Sequence, residues 1–353
     1  MRTERDQDRL TALLDRVVGD LSAGYGGVMV RIGNKLGLYA AMAGAGPLTP
    51  AELAGRSDTA ERYVAEWLNA QAAGGYVEYH PVSGTYELTP EGRFVLADPE
   101  SPMFVPPAWD VPASMFIDSQ ATIEAFRTGD GVAWGERHPA LHEGVASFYR
   151  NAYRASIAGE WIPALDGIAG VLAEGGAVAD VGCGHGHSTI AMAEAFPASH
   201  FDGIDTHAPS IDAARAYARD AGVEERVSFK LADARGYPGV GYDLICFFDA
   251  LHDFGDPEGA LAHAAAALAP GGAVMLVEPY AGDRVEDNLN PVGRLYYSAS
   301  VAICLAHGHS EGHHALGAQA GEARLAEVCR RAGLTRVRRA AATPFNLILE
   351  ARR

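Results

Sequence analysis

Glycines and polar side chains are concentrated in the run Asp180-Val181-Gly182-Cys183-Gly184-His185-Gly186-His187-Ser188, a composition suited to holding a ligand. Glycine is required where a backbone turns tightly, or where a ligand must approach closer than a Cβ permits. A dinucleotide turn places its third glycine to pack helix on strand in the spacing GxGxxG. That place is His187 here, and the glycines instead alternate as Gly182, Gly184 and Gly186. Asp180, just before the turn, would repel a pyrophosphate and attract a cationic ammonium such as that of a methionine moiety. Two further acids follow. Asp205 lies twenty-three residues after Gly182, spaced to accept hydrogen bonds from ribose hydroxyls. Asp233, in Ala232-Asp233-Ala234, can accept from an adenine amino group. One such acid alone says little, because caps and turns use aspartate freely. Three in register behind this turn read as a site for an adenosine-type nucleoside.

These residues need a frame. Short apolar runs at Ala177–Val181, His200–Asp205, Val227–Leu231, Asp243–Phe248 and Ala273–Glu278 alternate with helical stretches. That alternation is the signature of a parallel sheet covered on both faces, with ligands at the carboxyl ends of its strands. Upstream, residues 6–43 read as helix, with Gly24, Gly26 and Gly27 expected to interrupt it. Thr49 caps a short helix opened by Pro50, and Thr59 to Ala73 forms another. Tyr76-Val77-Glu78-Tyr79 and Thr85-Tyr86-Glu87-Leu88, joined across Pro81 to Gly84, read as a hairpin. Helix, helix, hairpin is the order of a winged helix-turn-helix. Residues 101–165 are rich in large aromatics, among them Trp109, Phe148, Tyr153 and Trp161; most read as core, a minority as lining of an apolar pocket. The expected division is 1–100, a helical and winged-helix domain; 101–165, a linking and pocket segment; and 166–353, the nucleoside-binding domain.

Composition narrows the partners. The 353 residues carry a net charge of −17, and the putting together of a phosphate-binding surface needs lysine and arginine. The expected recognition helix holds Glu61, Arg62, Glu66 and Asn69, which is roughly neutral, so dimerisation is favoured over nucleic-acid binding. The dense basic stretch Arg336, Arg338 and Arg339 reads as a solvated strand edge. Cys183, Cys246, Cys304 and Cys329 form no CxxC pair. No apolar run reaches the ~18 residues of a membrane span, and the first twenty residues lack a leader's apolar core. The expectation is a cytoplasmic protein with reduced thiols and no membrane partner.

Residues 170–280 resemble the class I S-adenosylmethionine-dependent methyltransferases. The whole chain resembles the subgroup with an N-terminal winged-helix domain, which includes small-molecule O-methyltransferases. Gly317-Ala318-Gln319-Ala320-Gly321-Glu322-Ala323-Arg324 is similar to an actinobacterial set within it. The resemblance implies a Rossmann-like α/β fold, a seven-stranded sheet with its last strand antiparallel, matched by the run Phe345 to Glu350. It implies S-adenosyl-L-methionine as cofactor and S-adenosyl-L-homocysteine as product. By the same resemblance Gly182, Gly184 and Gly186 hold the methionine part, Asp205 the ribose, and Asp233 with Ala234 the adenine. It also implies a homodimer through the N-terminal domain.

Methyl transfer is an in-line displacement, so alignment and exclusion of water dominate. A hydroxyl nucleophile also gains from a base near neutral pKa, and histidine suits that. Phe247-Phe248-Asp249-Ala250-Leu251-His252-Asp253 resembles the catalytic stretch, with His252 nine residues past Asp243. The resemblance makes His252 the general base, Glu278 the acid that orients it, Glu322 a poorly aligned third member, and Phe248 a backbone contact to adenosine. The plainer alternative is that His252 only caps a loop or holds a hydrogen bond. His307, His309, His313 and His314 lack a cysteine or acid at ligand spacing and are flanked by Gly308 and Gly312. They read as a loop without metal, part of a stretch 281–311 that covers the acceptor with Tyr296 and Tyr297. A cofactor-binding relative repurposed as a hydroxylase or cyclase, and a metabolite-sensing regulator, are the competing functions.

Overall fold

The computed structural model describes residues 4–353. Met1–Thr3, the start of the stretch read for a leader, lie outside the described residues. Two compact units divide the chain: residues up to Ala113 with Glu143–Asn151, and Ser114–His142 with Ala152–Arg353.

The first unit opens with helix α1, Glu4–Lys35. The glycines expected to interrupt it do not. A Cβ on Gly27 would stand 2.1 Å from the Trp109 ring, and one on Gly33 2.5 Å from Trp67. Here glycine serves close packing rather than a turn. The helix ends instead beyond Lys35, before Gly37, whose φ is +68°. Helix α2, Leu38–Met42, follows. Helix α3, Pro50–Ser57, starts as expected, with Thr49 and Glu52 forming a reciprocal capping box. Helix α4 is Glu61–Ala73. Strands β1, Glu78–His80, and β2, Thr85–Glu87, pair antiparallel, and Leu48 bridges to Tyr86. Leu38, Tyr39, Leu53, Trp67, Leu68 and Tyr86 form its core.

The second unit is built on seven strands: β3, Ala177–Val181; β4, His200–Asp205; β5, Val227–Leu231; β6, Tyr242–Phe248; β7, Leu268–Pro279; β8, Arg336–Ala342; and β9, Asn346–Arg352. Their order is β5-β4-β3-β6-β7-β9-β8. The first five pair parallel, and β9 runs antiparallel to both neighbours. The chain leaves β3 through β4 and β5, then returns to the other side of β3 as β6. That reversal is a switch point, where a crevice opens at the carboxyl ends of the strands. Apolar residues cover the sheet: Ile245, Phe247, Val274, Leu276 and Leu349 are fully buried.

Residues 281–311, expected as a loop, are mostly helical. They include Pro291–Ala299, the π-turn Ser300–Cys304 and Leu305–Glu311. His307 and His309 therefore sit on a helix, not in a loop. Gly308 keeps that helix close to its neighbours, since a Cβ there would lie 2.2 Å from Ala315 Cβ.

Candidate functional site

The turn after β3 sits at the switch point. Gly182, Gly184 and Gly186 have φ of +78°, +52° and +76°, a region that L side chains enter only at a cost. A Cβ on Gly182 would stand 2.7 Å from Ala250 Cβ, and one on Gly186 2.6 Å from the Phe229 ring. Those two glycines allow packing. A Cβ on Gly184 meets nothing within 4 Å, so this bend faces open space. Helix His187–Ala195 starts immediately behind it. Such a bend fits a ligand that must lie against bare backbone at a helix N-terminus.

The three acids are placed differently from one another. Asp180 is fully buried, and its Oδ2 accepts from Ser188 Oγ and Thr189 Oγ1, both at 2.6 Å. It braces the turn from inside. Burial pushes its carboxyl up to about 6, against the pull of those two hydroxyls. Asp205 accepts from the Gly184 amide at 2.9 Å and the His207 amide at 2.8 Å. Each oxygen keeps a lone pair for a further donor. Asp233 is exposed and clasped by Arg235, whose Nη2 lies 2.7 Å from Oδ2. Hydrogen bonds from that guanidinium hold its carboxyl low. Ala234 beside it is half-buried against the core. Two histidines that the spacing did not flag lie near Asp205. His207 follows it, and the His142 ring packs on His207 with centroids 4.5 Å apart.

At the tip of β6, Phe248 is buried, with its ring 5.3 Å from Tyr153 and 6.4 Å from Trp161. Trp161 Nε1 is buried without a hydrogen-bond partner. Asp249 follows at φ +47°, a strained place for a non-glycine residue. Its Oδ2 accepts from the Tyr153 hydroxyl and its Oδ1 from Asn346 Nδ2, each at 2.9 Å. Burial, and then the charge of Glu278, push its carboxyl up to about 7. No motif assigns Asp249 a role, and its position at a strand tip is the one signal the sequence carries for it.

His252 is 4% exposed, in the turn Leu251–Asp253. Its Nδ1 lies 2.6 Å from Glu278 Oε2, and Glu278 Oε1 also accepts from the Leu251 amide at 3.1 Å. The fold thus brings His252 and Glu278 together. It also does something not expected: Nε2 lies 2.9 Å from Asp253 Oδ1. Burial alone would lower the pKa of the ring, but the Asp253 and Glu278 carboxylates outweigh it and hold it well above the ordinary range. Cys304, from the π-turn, completes this group; its Sγ, His252 and Asp253 offer ligand atoms within 4.8 Å of one another. Glu322 is elsewhere, paired with Arg339 on the edge strand β8, so it is no third member.

A doubly covered sheet with a bare glycine bend at its switch point is the architecture of a nucleoside-using α/β domain. Residues 172–320 match the family described as methyltransferase domain, and residues 24–97 match that described as Rv2258c-like winged HTH domain. Two separate stretches of the chain are thus each similar to one of these domain families. Over 147 residues it is 32% identical to 27-O-demethylrifamycin SV methyltransferase of Amycolatopsis mediterranei, covering 40% of this chain and 51% of the relative. It thus spans about half of that relative's length. Among solved structures, mitomycin 7-O-methyltransferase MmcR superposes with a TM-score of 0.73 at 18% identity, over 98% of this chain and 100% of the other. Human N-acetylserotonin methyltransferase, solved with its S-adenosylmethionine, gives 0.71 at 17%, over 100% and 99%. At such identities the likeness speaks for the fold.

Proposed function

We propose that this chain transfers a methyl group from S-adenosyl-L-methionine to an oxygen or nitrogen of a small, apolar or aromatic molecule, leaving S-adenosyl-L-homocysteine. The observation that carries the reading is the Gly184 bend, at positive φ and facing open space, with Asp205 hydrogen-bonded to its amide. The cofactor supplies an electrophilic methyl on a cationic sulfur. Gly182, Gly184 and Gly186 let the methionine part lie against backbone, and Asp180 stiffens that bend from behind. Asp205 has lone pairs left for ribose hydroxyls. Asp233 and Ala234 flank the adenine, with Asp233 released from Arg235 as it accepts the amino group. The Phe248 backbone lies against the adenosine. The family match of residues 172–320 and the methyltransferase relatives support this reading over a repurposed hydroxylase or cyclase.

On the acceptor side, Tyr153, Trp161 and Phe248 offer apolar surface, which suits a flat molecule and keeps water out. Glu278 fixes His252 through Nδ1, so Nε2 is the working atom of the ring. Asp253 sits against that atom, so a general-base role for His252 first requires that contact to open.

The chain acts as a homodimer in this reading, through α1. Leu14, Val18, Leu21, Tyr25, Val28 and Ile32 recur at alternating spacings of four and three, and each is between 37% and 77% exposed. That is an apolar seam of the coiled-coil kind. Nucleic acid is not a partner: the net charge is −17, and Arg62 and Asn69 of α4 are engaged by Glu66 and Tyr86. No helix among the described residues is long and apolar enough to cross a membrane. Four free buried cysteines suit a reducing compartment, the cytoplasm.

Calorimetry with S-adenosyl-L-homocysteine tests the core of the proposal. One site per chain is expected, weakened at least tenfold by Gly184→Val, because a branched side chain would fill the space the nucleoside needs. No heat from either the methyl donor or its demethylated product would end the reading.

A further inference from the structure

The group around His252 has a composition that methyl transfer does not require. Three different donor atoms converge: an imidazole nitrogen, a carboxylate oxygen and a thiol sulfur, all within 4.8 Å of one another. We propose that His252, Asp253 and Cys304 form a binding site for a divalent cation of the zinc type.

Four observations carry this. First, Glu278 Oε2 lies 2.6 Å from Nδ1 of His252. A carboxylate on one ring nitrogen fixes the tautomer and orientation, and is the usual outer partner of a metal-bound histidine. It leaves Nε2 directed at Asp253 and Cys304. Second, Asp253 Oδ1 lies 2.9 Å from Nε2, so a carboxylate oxygen and the second ring nitrogen already face one another in an enclosed place. Buried charges are paired or coordinate a metal, and a cation between these atoms would hold both. Third, His307 Nδ1, on the helix that follows Cys304, is buried without a hydrogen-bond partner. Fourth, Cys304 ends a single π-turn, Ser300–Cys304, inside a helical stretch. Isolated π-turns redirect a side chain and recur at functional sites.

The donor set chooses the metal. Magnesium and calcium take oxygen ligands, whereas a mixed sulfur, nitrogen and oxygen set suits zinc and its neighbours. Three protein ligands leave a fourth, open position, the pattern of catalytic rather than structural zinc. Charge also balances. On binding, the thiol proton of Cys304 and the proton on Nε2 pass to solvent. The thiolate and the Asp253 carboxylate then carry two negative charges against the two positive charges of the ion. His252 is a ligand in that state and not a base. An acceptor hydroxyl in the fourth position would ionise more readily, as metal-bound water does. Cys304 stands fifty-two residues beyond His252, so no spacing rule could have paired them.

The test uses the full chain after chelator treatment, with Co2+ as the probe. One Co2+ per chain is expected, with a thiolate-to-cobalt charge-transfer band that Zn2+ abolishes by displacement. Cys304→Ser removes the band and weakens binding about tenfold or more. Asp253→Asn, checked for fold by circular dichroism, weakens binding similarly and serves if the serine variant does not fold. A triple variant His309→Ala, His313→Ala and His314→Ala leaves both the band and the affinity unchanged. The inference is overturned by absence of the band, by binding that survives both site variants, or by binding that disappears with the triple variant. Its bearing on the acceptor rests on the proposed methyl transfer, but the two fail separately: calorimetry with S-adenosyl-L-homocysteine on the same metal-free and Co2+-loaded samples reads the nucleoside site by itself.

Discussion

At the scale of single residues, function rests on atoms held by short contacts. His252 touches carboxylates on both ring nitrogens, at 2.6 Å to Glu278 and 2.9 Å to Asp253. Truncating it removes the acceptor-side group without touching the glycine bend. His252→Ala should therefore lose most turnover, a hundredfold or so on the scale of general acid–base effects, while nucleoside affinity is kept. A parallel fall in affinity would mark the ring as part of the scaffold. Asp249 makes a separate prediction. Its carboxyl is raised to about 7 in the fold, above its unfolded value near 3.8. A raised acid favours the folded state fully below the unfolded pKa, and that contribution is lost as pH climbs through the folded pKa. Asp180, raised to about 6 from 3.8, acts with the same sign. Between about pH 4 and 7 these two groups should make stability fall as pH rises, with at most about 1.4 kcal/mol per pH unit from each. Denaturant midpoints across that range measure it. Asp249→Asn should flatten the slope, and an unchanged slope would show that Asp249 is not the group responsible.

At the scale of elements, helix α1 is the informative case. Its inner residues, such as Val30, are buried, and Arg31 and Lys35 pair with Asp110. Its other side carries Leu14, Val18, Leu21 and Tyr25 into solvent, an arrangement an isolated helix has no reason to keep. Val18→Lys with Leu21→Lys should convert a dimer to a monomer by light scattering, with far-ultraviolet circular dichroism preserved. A wild-type chain that is monomeric at all accessible concentrations would refute the seam. The glycine bend is an element too. Gly186→Ala places a methyl 2.6 Å from the Phe229 ring and at a φ that alanine disfavours. A loss of about 1–3 kcal/mol in unfolding free energy is expected, together with loss of nucleoside binding. Gly184→Val should lose binding with less cost in packing, because its Cβ meets nothing nearby.

At the scale of the whole molecule, a ligand that binds the folded chain alone stabilises it by mass action. At a hundred times its Kd the gain is about 2.7 kcal/mol. S-adenosyl-L-homocysteine should therefore raise the melting temperature of this chain by several degrees in a concentration-dependent way, and adenosine diphosphate should not. Equal shifts from both would show that Asp180 and the GxGxG spacing do not select against a pyrophosphate.

Features set by residues close together along the chain are legible without the fold. The alternating glycines, the Thr49 cap, the hairpin turn, and the strands Ala177–Val181, His200–Asp205 and Val227–Leu231 follow from local backbone rules, and the three strand ranges match. Gly27 of α1 misled because one residue type serves both as a turn and as a contact, whereas Gly24 and Gly26 meet nothing within 4 Å and the helix simply runs through them. At Gly27 only the packing of Trp109 tells which applies. Residues 281–311 misled for the same kind of reason, since their helices are stabilised by tertiary contacts rather than by propensity. The tertiary structure alone decided the pairings across long separations: Tyr153 and Asn346 on Asp249, Asp253 against His252 rather than Glu322, and Cys304 beside both. Proximity of that kind is set by how the sheet orders its strands and how the helices return over its edge, and no pattern of neighbouring residues contains it.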